Sequence, residues 1–232
     1  MHRTTLRTRT MFLAAVAALT LTAERAAAQA WSYPSFQRPR VTEREFNFGV
    51  ADAGDAGTSL IFQWREGIDA RTQLSLDVGV ADPAGRNSEN LFLLGGTLAR
   101  QLSEARADLP LDFLFTAGLN LALGGGGNLL RLPVGVSLGH RFPLEQGMAI
   151  TPYIHPRLSI DFCGDCGSGD DDTDDSETDL GVDFDIGVSF EVNRNLSFRL
   201  SALFGGSDLV GDSDGFGLSI AWNPAALARF RR

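Results

Sequence analysis

Between Leu180 and Val192 every even position is apolar (Leu180, Val182, Phe184, Ile186, Val188, Phe190, Val192) and every odd one is small or charged (Gly181, Asp183, Asp185, Gly187, Ser189, Glu191). Side chains on a strand point alternately to opposite faces, so this run is a strand with one apolar and one polar side. Wound as a helix, the same residues would spread charge around the whole cylinder. A strand crosses a bilayer with about 9–11 residues at a 45° tilt, and this one is long enough. The same alternation recurs down the chain and specifies an all-β fold: a transmembrane, antiparallel, up-and-down β-barrel of about ten strands, with eight as the lower count.

Turn signals divide the chain into strand candidates at 44–51, 58–66, 71–81, 90–101, 111–123, 129–142, 148–162, 179–192, 196–206 and 214–223. In the fifth, Leu111, Phe113, Phe115, Ala117, Leu119 and Leu121 share a face opposite Asp112, Thr116, Gly118 and Asn120, with Leu114 the exception. The fourth, opening Leu91-Phe92-Leu93-Leu94, is apolar on both faces and leaves its register open. Connections after even-numbered strands are compact (Glu66–Ala70, Ser103–Pro110, Pro143–Gly147, Asn193–Asn195). Those after odd-numbered strands include Asp82–Glu89, Gly124–Gly127, Cys163–Thr178 and Gly205–Ser213. Short turns on one rim and longer loops on the other are the pattern of outer-membrane barrels. A soluble lipocalin-like barrel or sandwich is the structural alternative. Against it stand Gly-, Ser- and Thr-rich polar faces and aromatic residues near strand ends (Trp64, Phe142, Phe162, Phe190, Phe204, Trp222).

The N-terminus reads as an export signal. Arg3, Arg7 and Arg9 precede the apolar run Met11–Ala23, and Ala28-Gln29-Ala30 is a small-x-small cleavage site. The expected organisation is a signal peptide at 1–30, a periplasmic segment at 31–43, the barrel at 44–223 and a tail at 224–232. Losing Arg3, Arg7, Arg9 and Arg25 against Glu24 takes the net charge from −9 to −12, which excludes a nucleic-acid partner needing a basic footprint. All the basic charge is arginine; there is no lysine.

Ser213-x-Gly215-x-x-Leu218-x-Ile220-x-Trp222 resembles the C-terminal assembly signal of outer-membrane proteins. With Val192–Leu200 it makes the chain similar to small outer-membrane barrels of the opacity-protein and outer-membrane protein A types. The tail Asn223–Arg232 departs from that pattern, which ends at the aromatic residue. The resemblance implies the outer membrane as location, its lipid and lipopolysaccharide as surroundings, and the barrel-assembly machinery as partner of Gly215, Leu218, Ile220 and Trp222.

Several residue groups carry candidate chemistry. Tyr153, His155, Arg157, Ser159 and Asp161 should face inward beside Asp183 and Asp185, with Arg131, Ser137 and Arg141 on the preceding strand. A buried histidine among carboxylates suits acid–base catalysis, as in omptin-type proteases. The preferred reading is a lumen ion network of Arg131, Arg141, His155, Arg157, Asp161, Asp183, Asp185 and Arg199, because buried charges must be paired. Gly135-x-Ser137-x-Gly139 matches a nucleophile elbow, but it lies inside alternating strand and lacks the strand-to-helix turn that motif needs. Cys163 and Cys166 in an exported chain are expected to form a disulfide. Asp170, Asp172, Asp174, Asp175 and Glu177 offer hard oxygen ligands for loosely bound Ca²⁺, without the EF-hand order. No other cofactor is expected.

These residues imply a monomeric, non-enzymatic membrane barrel with a structural or surface-interaction role, displaying an acidic, disulfide-tipped loop. The alternatives are a narrow pore for small solutes and an omptin-like hydrolase.

Overall fold

In the computed structural model, residues 33–52, 57–82, 90–107, 109–124, 127–164, 177–207, 209, 211–212 and 214–224 are described. Ten long strands follow one another: β1 Arg44–Asp52, β2 Thr58–Gly67, β3 Thr72–Asp82, β4 Leu91–Ser103, β5 Asp112–Gly124, β6 Gly127–Gly139, β7 Ala149–Gly164, β8 Glu177–Glu191, β9 Leu196–Ser207 and β10 Gly215–Trp222. Phe142–Pro143 and Gly211–Asp212 add two-residue strand pieces. Each long strand pairs antiparallel with its neighbours in sequence, and β1 pairs with β10 through Phe46↔Trp222 and Val50↔Leu218. The sheet is therefore a closed meander without a free edge, and all of β3 to β9 have 11 to 16 residues.

Polarity is inverted relative to a water-soluble domain. Leu158 is 65% exposed and Leu180 73%, whereas Arg199 is 1% exposed and Asp161 0%. Even-numbered residues of β8, β9 and β10 face outward, as the alternation requires. An apolar exterior over a charged interior is stable only where the outside solvent is hydrocarbon. Trp64, Phe142, Phe190 and Trp222 lie outside near the turn rim, and Phe92, Phe162, Phe204 and Phe216 near the loop rim. Two such girdles mark the interfaces of a membrane barrel.

The turn rim is held by local hydrogen bonds. In the β2–β3 turn, Ile68 N donates to Thr72 O at 2.8 Å and Arg71 N to the Asp69 carboxylate at 2.7 Å. That backbone donor, with the Thr72 hydroxyl, holds the Asp69 carboxyl below its ordinary pKa. In the β8–β9 turn the Asn193 side chain accepts from Asn195 N and Leu196 N, an Asx turn. The rims differ less in connection length than the turn signals suggest. Glu104–Leu111 on the turn side is longer than the Gly124-to-Gly127 link on the loop side, and β4 shifts register between Gln101 and Ser103.

The register of β4, which its sequence leaves open, is set by the tertiary structure. Leu91, Leu93, Gly95, Ala99 and Gln101 face the lumen, and Phe92, Leu98 and Arg100 face outward. Leu91 and Leu93 are accepted inside because the lumen is apolar at its loop end. There they join Ala81, Ala122, Leu129 and Cys163 in a buried collar against which Tyr33 and Leu209 pack.

The segment before β1 requires a correction. Its described part does not hang in the periplasm: Phe36 is 0% exposed and Gln37 5%, and both lie inside the barrel. Residues 1–30 and the tail beyond Pro224 lie outside the described residues.

Candidate functional site

A segment buried without a strand partner must have its backbone groups satisfied by side chains. Residues 33–42 meet that demand from the barrel wall. Arg65 donates to Ser35 O at 2.8 Å, Arg199 to Phe36 O at 2.9 Å, Ser137 to Gln37 O at 2.7 Å and Gln101 to Pro39 O at 2.9 Å. Val41 N and Thr42 N donate to the side-chain oxygens of Gln101 and Gln73, at 3.0 and 2.8 Å. Pro34 and Pro39 have no N–H to satisfy, which lowers the demand further.

Phe36 anchors the segment. A Cβ at Gly217 would lie 2.6 Å from its Cζ, and one at Gly49 2.9 Å from its Cε2, so the ring occupies space that only glycine leaves on β1 and β10. Its φ of 49° lies in the left-handed region, uncommon for a bulky residue. Such a conformation persists only where the surroundings over-determine it. Here Arg199, Ser137 and the glycine cradle do so.

Charge is arranged in tiers along the axis. Toward the turn rim, Glu45 accepts from three guanidiniums: Arg65 at 2.6 Å, Arg199 at 2.5 Å and Arg38 at 3.1 Å. Arg38 also meets Glu191 at 2.7 Å, which in turn takes Arg141 at 2.7 Å. Midway, the Ser35 hydroxyl lies between His155 Nδ1 at 2.8 Å and Asp185 at 2.5 Å, while His155 Nε2 meets the Thr116 hydroxyl at 2.9 Å. Arg157 donates to Asp185 at 3.1 Å. Nearer the loop rim, Arg131 grips Asp161 through two nitrogens at 2.7 and 2.8 Å and reaches Asp183 at 3.1 Å. Ser207 adds a hydrogen bond to Asp161. Seven residues of the expected ion network line the described lumen in separate tiers, and Arg141 meets Glu191 from the turn rim with a third of its side chain exposed.

Among the described wall residues, the inward carboxylates below the exposed rim are Glu45, Asp77, Asp112, Asp161, Asp179, Asp183, Asp185 and Glu191. The guanidiniums are Arg65, Arg131, Arg141, Arg157 and Arg199, three fewer. Arg38 and Arg40 of the segment offset two of these, Arg40 lying 3.8 Å from Asp112.

A cavity of about 50 Å³ remains between segment and wall, touched by Tyr33, Asp77, Asn120, Arg131, His155 and Arg157. Buried Asn120 Oδ1, Asp77 Oδ1 and Arg157 Nε have no protein partner. At roughly 10–15 Å³ per water, such a polar space suits a few waters. His155 has both ring nitrogens taken by hydroxyl groups, so the arrangement positions the segment. Ser137 lies within β6 and is also spent on the segment.

The sequence pattern does not mark Tyr33, Ser35, Phe36 or Arg38, nor Thr116 as a partner of His155, nor Glu45 as a hub. The available signal was composition: Tyr-Pro-Ser-Phe-Gln-Arg-Pro is too aromatic and too proline-rich for a solvated tail. Glu177 opens β8 in an exposed position, while Asp170, Asp172, Asp174, Asp175 and Cys166 lie outside the described residues, and with them the expected Ca²⁺ site and disulfide. Cys163 is buried in the collar. Leu218, Ile220 and Trp222 present the expected assembly signal outward along β10, which opens at Gly215; Ser213 lies outside the described residues.

No protein-family model matches the chain, and no curated protein matches it. Among solved structures it is similar to the N-terminal β-barrel domain of Pseudomonas aeruginosa OprF, at 10% identity over 78% of this chain and 97% of that one, TM-score 0.38. It is also similar to the β domain of the Bordetella autotransporter BrkA, at 13% identity over 77% and 97%, TM-score 0.44. A third is Acinetobacter baumannii Omp33, at 9% identity over 78% and 98%, TM-score 0.35. The fold rests on the chain's own pairings and polarity: a closed ten-stranded antiparallel barrel, apolar outside and ionic within, is a small membrane-spanning β-barrel of the outer-membrane type.

Proposed function

We propose that the protein is a closed, non-enzymatic outer-membrane barrel that works as a rigid mount for its loop rim, chiefly the acidic Cys163–Thr178 loop. The observation that carries this reading is the filled lumen. Among the described residues, ion pairs and the 33–42 segment occupy it around a cavity of about 50 Å³. In this reading a leader ending at Ala30 is removed on export, and a Cys163–Cys166 disulfide ties the base of the loop. The loop's carboxylates bind Ca²⁺ weakly at the lipopolysaccharide surface, the last strand is read by the assembly machinery, and the barrel works as a monomer.

Planar-bilayer recording tests the closed state. The purified intact barrel is expected to give no steady openings, and a stable open level would refute a closed mount. Photo-crosslinkers placed between residues 165 and 176 on intact cells would then identify what the loop meets.

A further inference from the structure

The 33–42 segment is held on terms unlike those of the wall. It contributes no strand, and all ten long strands are paired on both sides without it. Its bonds to the barrel come from side chains, the Phe36 ring in the Gly49–Gly217 cradle and the Arg38 ion pairs. Expelling it breaks no ladder bond and frees a column along the axis. A column that admits an extended polypeptide admits hydrated small ions. Tyr33 packs against the apolar collar and would leave with the segment.

Charge decides what could pass. Among the described residues the wall's inward carboxylates exceed its guanidiniums by three, and Arg38 and Arg40 of the segment offset two of them. With the segment withdrawn the lumen is net negative, in a sleeve surrounded by hydrocarbon where the field of unpaired charge is focused. Rings of carboxylates favour cations.

We propose that residues 33–42 are a tethered plug, and that the barrel it closes is a cation-selective conduit when the plug is out. This rests on the closed resting state proposed above and adds what opens and what passes.

The test uses the full chain carrying Phe36→Glu and Arg38→Glu, which sets carboxylates against the glycine cradle and against Glu45 and Glu191. Folding is checked by the heat-dependent shift in electrophoretic mobility, and conductance is recorded across a KCl gradient. Steady openings are expected, with a reversal potential displaced toward that of K⁺. A synthetic peptide of residues 31–43 added on the turn-rim side should block them. If the double variant fails to fold, full-length Arg38→Ala, which keeps the ring, should open intermittently with the same selectivity. A folded but silent variant, or one selective for Cl⁻, overturns the proposal. Steady current through the intact barrel would overturn the closed resting state instead, a distinct result.

Discussion

Glu45 shows how much one buried charge can organise. It accepts from Arg38, Arg65 and Arg199, which come from the N-terminal segment, β2 and β9. Removing one partner of a buried ionic cluster leaves uncompensated charge and costs about 3–5 kcal/mol. Glu45→Gln should lower the barrel's unfolding free energy, measured in urea, by that order, whereas Glu66→Gln, which breaks the partly exposed Arg44–Glu66 pair, should barely change it. Gly217→Ala probes the other anchor. Its new methyl would meet Phe36 Cζ at 2.6 Å, against backbone and ring that cannot both yield. Overpacking of this kind costs about 1–3 kcal/mol. Most of that loss should disappear in a Phe36→Ala background, and additive costs in the double-mutant cycle would show that the two do not touch.

At the scale of the element, each strand is specified by what lies on its two sides. Leu158, outward on β7 near the middle of its length, should face acyl chains. Arginine at such a site costs about 2–4 kcal/mol near the bilayer midplane. Leu158→Arg is therefore expected to destabilise refolding into vesicles by that amount; a neutral result would argue against a lipid-facing β7. The β2–β3 turn carries a pH signature. The Arg71 amide and Thr72 hydroxyl favour the ionised Asp69, so its folded pKa lies below the unfolded value of about 3.9. A depressed carboxyl contributes stability above the unfolded value and loses it as pH falls through the folded one. The Arg71 amide shift, followed by NMR in micelles, should titrate with a midpoint below about 3.9.

For the whole molecule, closure and filling are separate achievements. Ten strands make an edgeless wall whose hydrogen bonds are internal, as hydrocarbon demands. That wall alone would enclose a charged bore. The ion-pair tiers, the apolar collar and the N-terminal segment together fill it. The intact barrel is thus expected to be electrically silent, and its silence should depend on Phe36 and Arg38, two residues outside every strand.

The sequence by itself determined the alternation, and with it the strands and which face of β8, β9 and β10 meets lipid, while closure of the sheet fixed their number at ten. Strands and faces follow from a period of two, a property of neighbours along the chain. It also paired the right kinds of charge on the inward faces of β6, β7 and β8, because Arg131, Asp161 and Asp183 stand at alternating positions. Only the tertiary structure decided the register of β4, the three-way hub at Glu45 and the burial of residues 33–42. Each depends on residues brought together by closing the sheet. Leu93 is inside because Ala122, Leu129 and Cys163 surround it, and Phe36 is inside because β1 and β10 meet with a glycine on each. No local pattern encodes a neighbour that exists only once the two ends of the sheet have joined.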